Sequence, residues 1–198
     1  MGIYNWLIEK IKGKQITVNN TPDLLEKFST EEDPLSGEVK RKIAIEVFDA
    51  MLDRNPQNAR LWMFRLLGLV EMKDIPQMIK NLPKAKESLD NFIKYATTEE
   101  IKSTAECDEI KSILFIFSSL LISASDYKVA IEWCDKTLII NPKDVNIWKN
   151  KGIALEALSR FSEAKTAYEN GLKYAPAEQV SLFRELISRV SSKIYSDN

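Results

Sequence analysis

The sequence predicts an all-α solenoid of stacked antiparallel helix pairs. Three observations predict it. Residues of like kind recur at a fixed offset of 34 positions. Apolar residues recur in steps of four, which keeps one stripe on one helix face. Glycine and proline are scarce, at six and seven, whereas strands joined by tight turns need more of both.

The recurrence is sharpest in the second half. Ala130 and Ala164, Leu121 and Leu155, Tyr127 and Phe161, Leu138 and Leu172, and Pro142 and Pro176 all stand 34 apart. Residues 111–144 and 145–178 are therefore two copies of one unit. The second-helix pattern of the unit occurs four times, as Ala44-Phe48-Leu52, Ala85-Leu89-Ile93, Ala130-Cys134-Leu138 and Ala164-Tyr168-Leu172. Twelve residues after each alanine come Pro56, Thr97, Pro142 and Pro176, and Trp62 follows Pro56 by six residues as Trp148 follows Pro142.

In chain order, residues 1–20 are expected to be an amphipathic helix and a linker. Ile3, Trp6, Leu7 and Ile11 form its apolar stripe, Lys10, Lys12 and Lys14 its basic end, and Gln15 to Asn20 the linker. A lone helix that short is marginal in water. It needs a surface: its own solenoid first, a second copy next, an anionic membrane last. The repeat domain is expected over 21–198. Its first repeat (about 25–58) has a short first helix, Pro22 to about Phe28 after a Thr21 cap, and a second from about Gly37 to Arg54. The next (about 59–97) carries Leu66 where the last repeat has Gly152. It also has about seven extra residues with Pro76 and Pro83, so its second helix is expected from about Pro83. A capping box, Thr97 to Glu100, predicts one long helix from about Thr98 to Ser123. After repeats 111–144 and 145–178, a capping helix over 178–195 carries Val180, Phe183, Leu186, Ile187, Val190 and Ile194, and closes the core with a polar outer face.

Composition excludes several function classes. Net charge is −1 and histidine is absent, which removes the basic total of most nucleic-acid binders and the usual general base. No nucleic-acid partner is expected. Cys107 and Cys134 stand alone, with no CxxC and no further ligands, so no metal and no cofactor are expected. There is no P-loop, no glycine-rich dinucleotide turn and no GxSxG, and hence no catalytic residue to name. The most apolar run, Ser112 to Ser125, is too short for a membrane span and reads as a buried helix. With no leader evident and two unpaired cysteines, the expected compartment is the cytoplasm.

The last unit reads Trp148, Gly152, Leu155, Phe161, Ala164, Tyr168, Pro176. It resembles the tetratricopeptide repeat. The resemblance implies a right-handed solenoid, with Gly152 and Ala164 at the crossing of the two helices and a concave groove lined by first helices. Carried over position by position, the groove would present Met63, Phe64 and Leu67, then Phe115 and Ser119, then Asn146, Lys149, Asn150 and Ile153. Phe115 and the neighbouring Ile116 could equally be core between helices. The family's carboxylate clamp for chaperone tails is not matched. Asn150 and Arg184 fit it, but Phe115, Ser119 and Val180 replace the other three residues. The resemblance thus implies a non-catalytic scaffold that holds a protein or peptide segment. The alternative is a structural homo-oligomer assembled through the terminal helices or the groove.

Overall fold

The computed structural model describes residues 37–70 and 75–196. The head helix, the linker and the short Pro22–Phe28 helix expected above lie outside them. Among the described residues every regular element is helical: α1 (Gly37–Arg54), α2 (Ala59–Val70), α3 (Ile75–Tyr95), α4 (Thr98–Glu106), α5 (Asp108–Ser123), α6 (Tyr127–Ile140), α7 (Val145–Ala157), α8 (Phe161–Tyr174) and α9 (Ala177–Ser196). Short connections fold them into antiparallel pairs, α2 with α3, α5 with α6 and α7 with α8, stacked side by side with α9 against the last.

The helix starts are chemically marked. Asp144 accepts from the amides of Asn146 and Ile147, and Asp126 accepts from that of Val129. These bonds satisfy donors that have no partner inside the helix. The turns inside the last two pairs are built alike. Ser125 and Ser159, 34 residues apart, both adopt left-handed backbone, with φ of 59° and 58°. The next amide reaches back five residues, Asp126 to Leu121 at 3.0 Å and Arg160 to Leu155 at 2.9 Å. This wrapped C-terminus uses up the last carbonyls of α5 and α7.

The pairs cross where small residues permit it. A Cβ added at Gly152 would lie 2.2 Å from the ring of Tyr168, and Ala164 beside it in sequence register is fully buried. The glycine thus accommodates an aromatic ring, while Ala164 keeps α8 close. The register positions of Gly152 and Tyr168 hold Leu66 and Leu89 in α2 and α3, and Ser118 and Cys134 in α5 and α6, all fully buried. In the earlier repeat two medium side chains stand where the last repeat has one large and one absent, which explains how Leu66 replaces the glycine. Trp133, next to Cys134 on α6, packs at a tilt against Phe117 with ring centroids 5.0 Å apart and donates to the Leu114 carbonyl at 3.0 Å.

Two elements differ from the sequence expectation. The second helix of the second repeat starts at Ile75, not near Pro83. Pro76 sits in the first turn, where no intrahelical amide is required. Pro83 lies inside the helix and orphans only the carbonyl four residues back, at the exposed Ile79. The long helix expected from Thr98 to Ser123 is two helices. The capping box forms as read, Thr97 and Glu100 bonding each other's amides, but Cys107 is extended at φ −81° and ψ 113°. There α4 ends, and α5 begins with Asp108 paired to Lys111.

A buried arginine joins the first three helices. Arg65 of α2 donates through Nε to Asp49 of α1 and through Nη1 to Glu87 at 2.9 Å and Ser88 at 3.0 Å of α3. Its guanidinium also lies 5.4 Å from the centre of the Trp62 ring. No described helix is long and apolar enough to cross a membrane.

Candidate groove on the first helices

The first helices of successive pairs run side by side in the same direction. Asn150 of α7 donates to Ser118 at 2.7 Å and to Ser119 at 3.1 Å, both on α5. Glu156, further along α7, meets Arg189 and Lys193 of α9. With Asn150 turned towards α5 and Gly152 towards α8, the 3.6-residue period leaves Asn146, Lys149, Ile153 and Ala157 on the open side of α7. Asn146 and Ala157 are exposed, and Lys149 and Ile153 half-buried. On α5, one register earlier, Ser112 and Ser123 are exposed, Phe115, Ser119 and Ile122 half-buried, and Ile116 is 38% exposed.

The expected lining residues therefore divide. Met63 and Leu67 are each 4% exposed and belong to the core. Arg60, one turn before Met63, pairs with Glu100 at 2.9 Å, which brings α4 beside this face of α2. Asn150, 5% exposed, spends its amide on the two serines and ties α7 to α5. These three are corrected from lining to framework, because no buried side chain meets a partner. Phe64 is half-buried, with its ring 6.1 Å from that of Phe48. Phe115 packs with Cys134, Leu138, Ile147 and Trp148, while its neighbour Ile116 faces outwards. Ser119, Asn146, Lys149 and Ile153 remain accessible, and the Asn150 bonds bring Ser119 next to α7.

The capping helix has shifted register. Phe183, Leu186 and Val190 are buried as Ile147, Asn150 and Ala154 are, an offset of 36 rather than 34. Arg184 then corresponds to Trp148, not to Asn150, so its match to a clamp position was an accident of counting. The same shift puts Leu182, Glu185, Arg189 and Lys193 where α7 has Asn146, Lys149, Ile153 and Ala157. Sequence reasoning missed this group because it assumed an unbroken repeat. The buried stripe itself, read at steps of three and four, was the available signal.

Glu156 is the most perturbed carboxylate here. Arg189 grips it with Nε at 3.1 Å and Nη2 at 2.8 Å, Lys193 donates at 2.9 Å, and the Tyr168 hydroxyl donates at 3.2 Å. Burial pushes its carboxyl up, but the hydrogen bonds from Arg189 and Lys193 outweigh that and hold it at about 2. Burial, and then the Glu156 charge, push the Tyr168 hydroxyl well above its ordinary value. Burial pushes the Cys134 thiol up to about 12, which keeps it protonated and a poor nucleophile. Among the described residues no three His, Cys, Asp or Glu side chains group as metal ligands.

No protein-family model matches this chain, and no curated protein matches it. Among solved structures it is similar to "Crystal structure of MamA" (TM-score 0.49, 13% identity, 92% of this chain and 98% of that one). It is also similar to "Crystal structure of MamA protein" (0.49, 14%, 98% and 90%) and to "MamA MSR-1 C2" (0.47, 16%, 80% and 80%). At such identities a likeness says nothing of what either protein binds.

Proposed function

We propose that this chain is a non-catalytic scaffold of the tetratricopeptide type, which holds a protein segment against the open side of α5 and α7. One observation carries the reading. Ile116 stands 38% exposed on α5, one turn after the exposed Ser112, and Ile153 is half-buried on the open side of α7, two turns after the exposed Asn146. Apolar side chains with polar neighbours at the rim are what a segment-binding surface offers.

Photo-crosslinking tests the reading. A benzophenone side chain at Ile116 or Ile153 is expected to capture another polypeptide in native lysate. The same group at the exposed Glu132, on a second helix, is expected to capture none. Equal capture from all three positions would remove the groove as the site. Capture of the chain by itself would favour the homo-oligomer instead.

A further inference from the structure

We infer that the first occupant of the α5–α7 surface is the chain's own head, residues 3–11, which rests there until a partner displaces it. The inference rests on the scaffold reading above and adds its regulation. Ile3, Leu7 and Ile11 recur at steps of four, which on a helix makes a stripe about 12 Å long at 1.5 Å per residue. A stripe that short is marginal alone in water and gains from an apolar surface. Ile116 of α5, 38% exposed, and Ile153 of α7, half-buried, supply one. Ile153 stands one turn past Asn150, the register partner of Ile116 on the neighbouring helix. With helices packed about 9 Å apart, the two isoleucines lie about 10 Å from each other. The head stripe matches that spacing when it lies across the two helices, with Leu7 between them.

Reach and charge fix its direction. Residues 12–36 join the head to Gly37, where α1 begins. That stretch spans about 37 Å as a helix and about 85 Å when extended. Three helix spacings, from α1 past α2 and α5 to α7, come to about 30 Å, so the tether reaches in either form. It arrives from the α1 side, and the C-terminal end of the head, with Lys10, Lys12 and Lys14, points that way. Acidic groups stand there too. α4 carries Glu99, Glu100 and Glu106 against the single Lys102. Arg60 ties it to α2 through Glu100, and Glu106 is exposed. The far side of α7 has the opposite balance, Lys149, Arg189 and Lys193 against Glu156 and Glu185, and would repel a reversed head. Ile11 therefore lies over Ile116, and Ile3 over Ile153. Because the tether keeps the head at high local concentration, a partner competes with it for the same two isoleucines.

Photo-crosslinking within the purified full chain tests this. A benzophenone side chain at Ile116 or at Ile153 is expected to form an adduct with the head that migrates as a monomer. Cleavage after Glu9 separates Ile3 from Ile11. The Ile116 probe is expected on the fragment with Ile11, and the Ile153 probe on the fragment with Ile3. A probe at the exposed Glu132, on a second helix within the same reach, is expected to give no head adduct. Leu7→Asp is expected to remove both adducts. In native lysate it should also raise capture of other polypeptides at Ile116 about fivefold, as a site mostly filled by the head becomes free. The resting head is overturned by absence of head adducts, by equal yields from all three probes, by the reversed map, or by adducts that survive L7D. Head adducts found only in a dimer band overturn it as well, since a second copy then fills the surface. The two readings fail separately. If the purified chain gives no head adduct while Ile116 captures another polypeptide in lysate, the scaffold stands and the resting head falls. If the head adduct forms but L7D frees no further capture, the surface serves the head alone and the scaffold reading falls.

Discussion

The indole of Trp148 donates to the carbonyl of Pro142 at 2.9 Å, and Trp62 makes the same bond to Pro56 at 2.8 Å. The Pro-to-Trp spacing of six residues thus has a cause beyond packing. Proline ends one pair, and the tryptophan of the next ties the turn shut by satisfying its free carbonyl. Replacing either tryptophan with phenylalanine retains a ring but removes the donor. Trp148→Phe and Trp62→Phe are each expected to cost about 1 kcal/mol in urea unfolding. Trp62 is expected to cost the more, because it is the more buried. No change in either variant would show that the bond is incidental to the turn.

Gly152 and Tyr168 make a sharper test of the helix crossing. The added methyl of Gly152→Ala meets a fully buried ring that has nowhere to move, so the variant is expected to lose roughly 1–3 kcal/mol by thermal denaturation. Ala164→Leu is expected to lose a similar amount for the same reason. Gly152→Ala combined with Tyr168→Leu approximates the pairing of Leu66 with Leu89, and should cost less than the two single changes added together. Strict additivity would mean that the two residues do not share one space.

Much of this was legible in the sequence, and the exceptions have physical causes. The 34-residue period, the alanine-led second helices and the Thr97 capping box are local patterns, and helices form where they stand. Pro83 misled because proline usually ends a helix, yet here the carbonyl it orphans falls on an exposed face. The break at Cys107 splits the helix expected from the capping box, and nothing in its immediate neighbours announces it. Arg65 carries no sequence signal of its buried position. Only the assembled triplet of α1, α2 and α3 shows that Asp49, Glu87 and Ser88 converge on it. At the groove, position counting grouped Asn150 with Lys149 and Ile153, although Asn150 is buried. Its role depends on two serines 31 and 32 residues earlier.

Ser125 and Ser159 occupy left-handed backbone that glycine adopts at lower cost. Neither hydroxyl position is needed for the wrapped turn, whose bonds are all main chain. Ser159→Gly is therefore expected to stabilise the protein by about 0.5 kcal/mol, the relief at the turn being partly offset by a more flexible unfolded chain. Ser125→Gly should act alike, and the two should add, since they belong to separate pairs. The midpoint of urea unfolding measures both, and a drop in midpoint for either would refute the assignment.

Glu156 and its partners on α9 predict how the cap responds to acid. The Glu156 carboxyl has an ordinary value of 4.5 and is held at about 2 in the folded chain. A depressed folded value means that the ionised form is favoured by folding, so its contribution is fully present above pH 4.5. It is lost as the pH falls from 4.5 towards 2. Glu156→Gln removes that titration while keeping a side chain of the same shape. Wild type is expected to be the more stable at neutral pH, and its advantage should shrink steadily over that window until the two melt together near pH 2. Because Arg189 and Lys193 hold the last helix through this one carboxylate, the change should be local. Hydrogen exchange in α9 should speed up in E156Q at neutral pH, while amides in α5 and α6 keep their protection. An advantage that is independent of pH would show that shape, not charge, holds Glu156 in place, and loss of protection throughout the chain would show that the cap and the solenoid unfold as one unit.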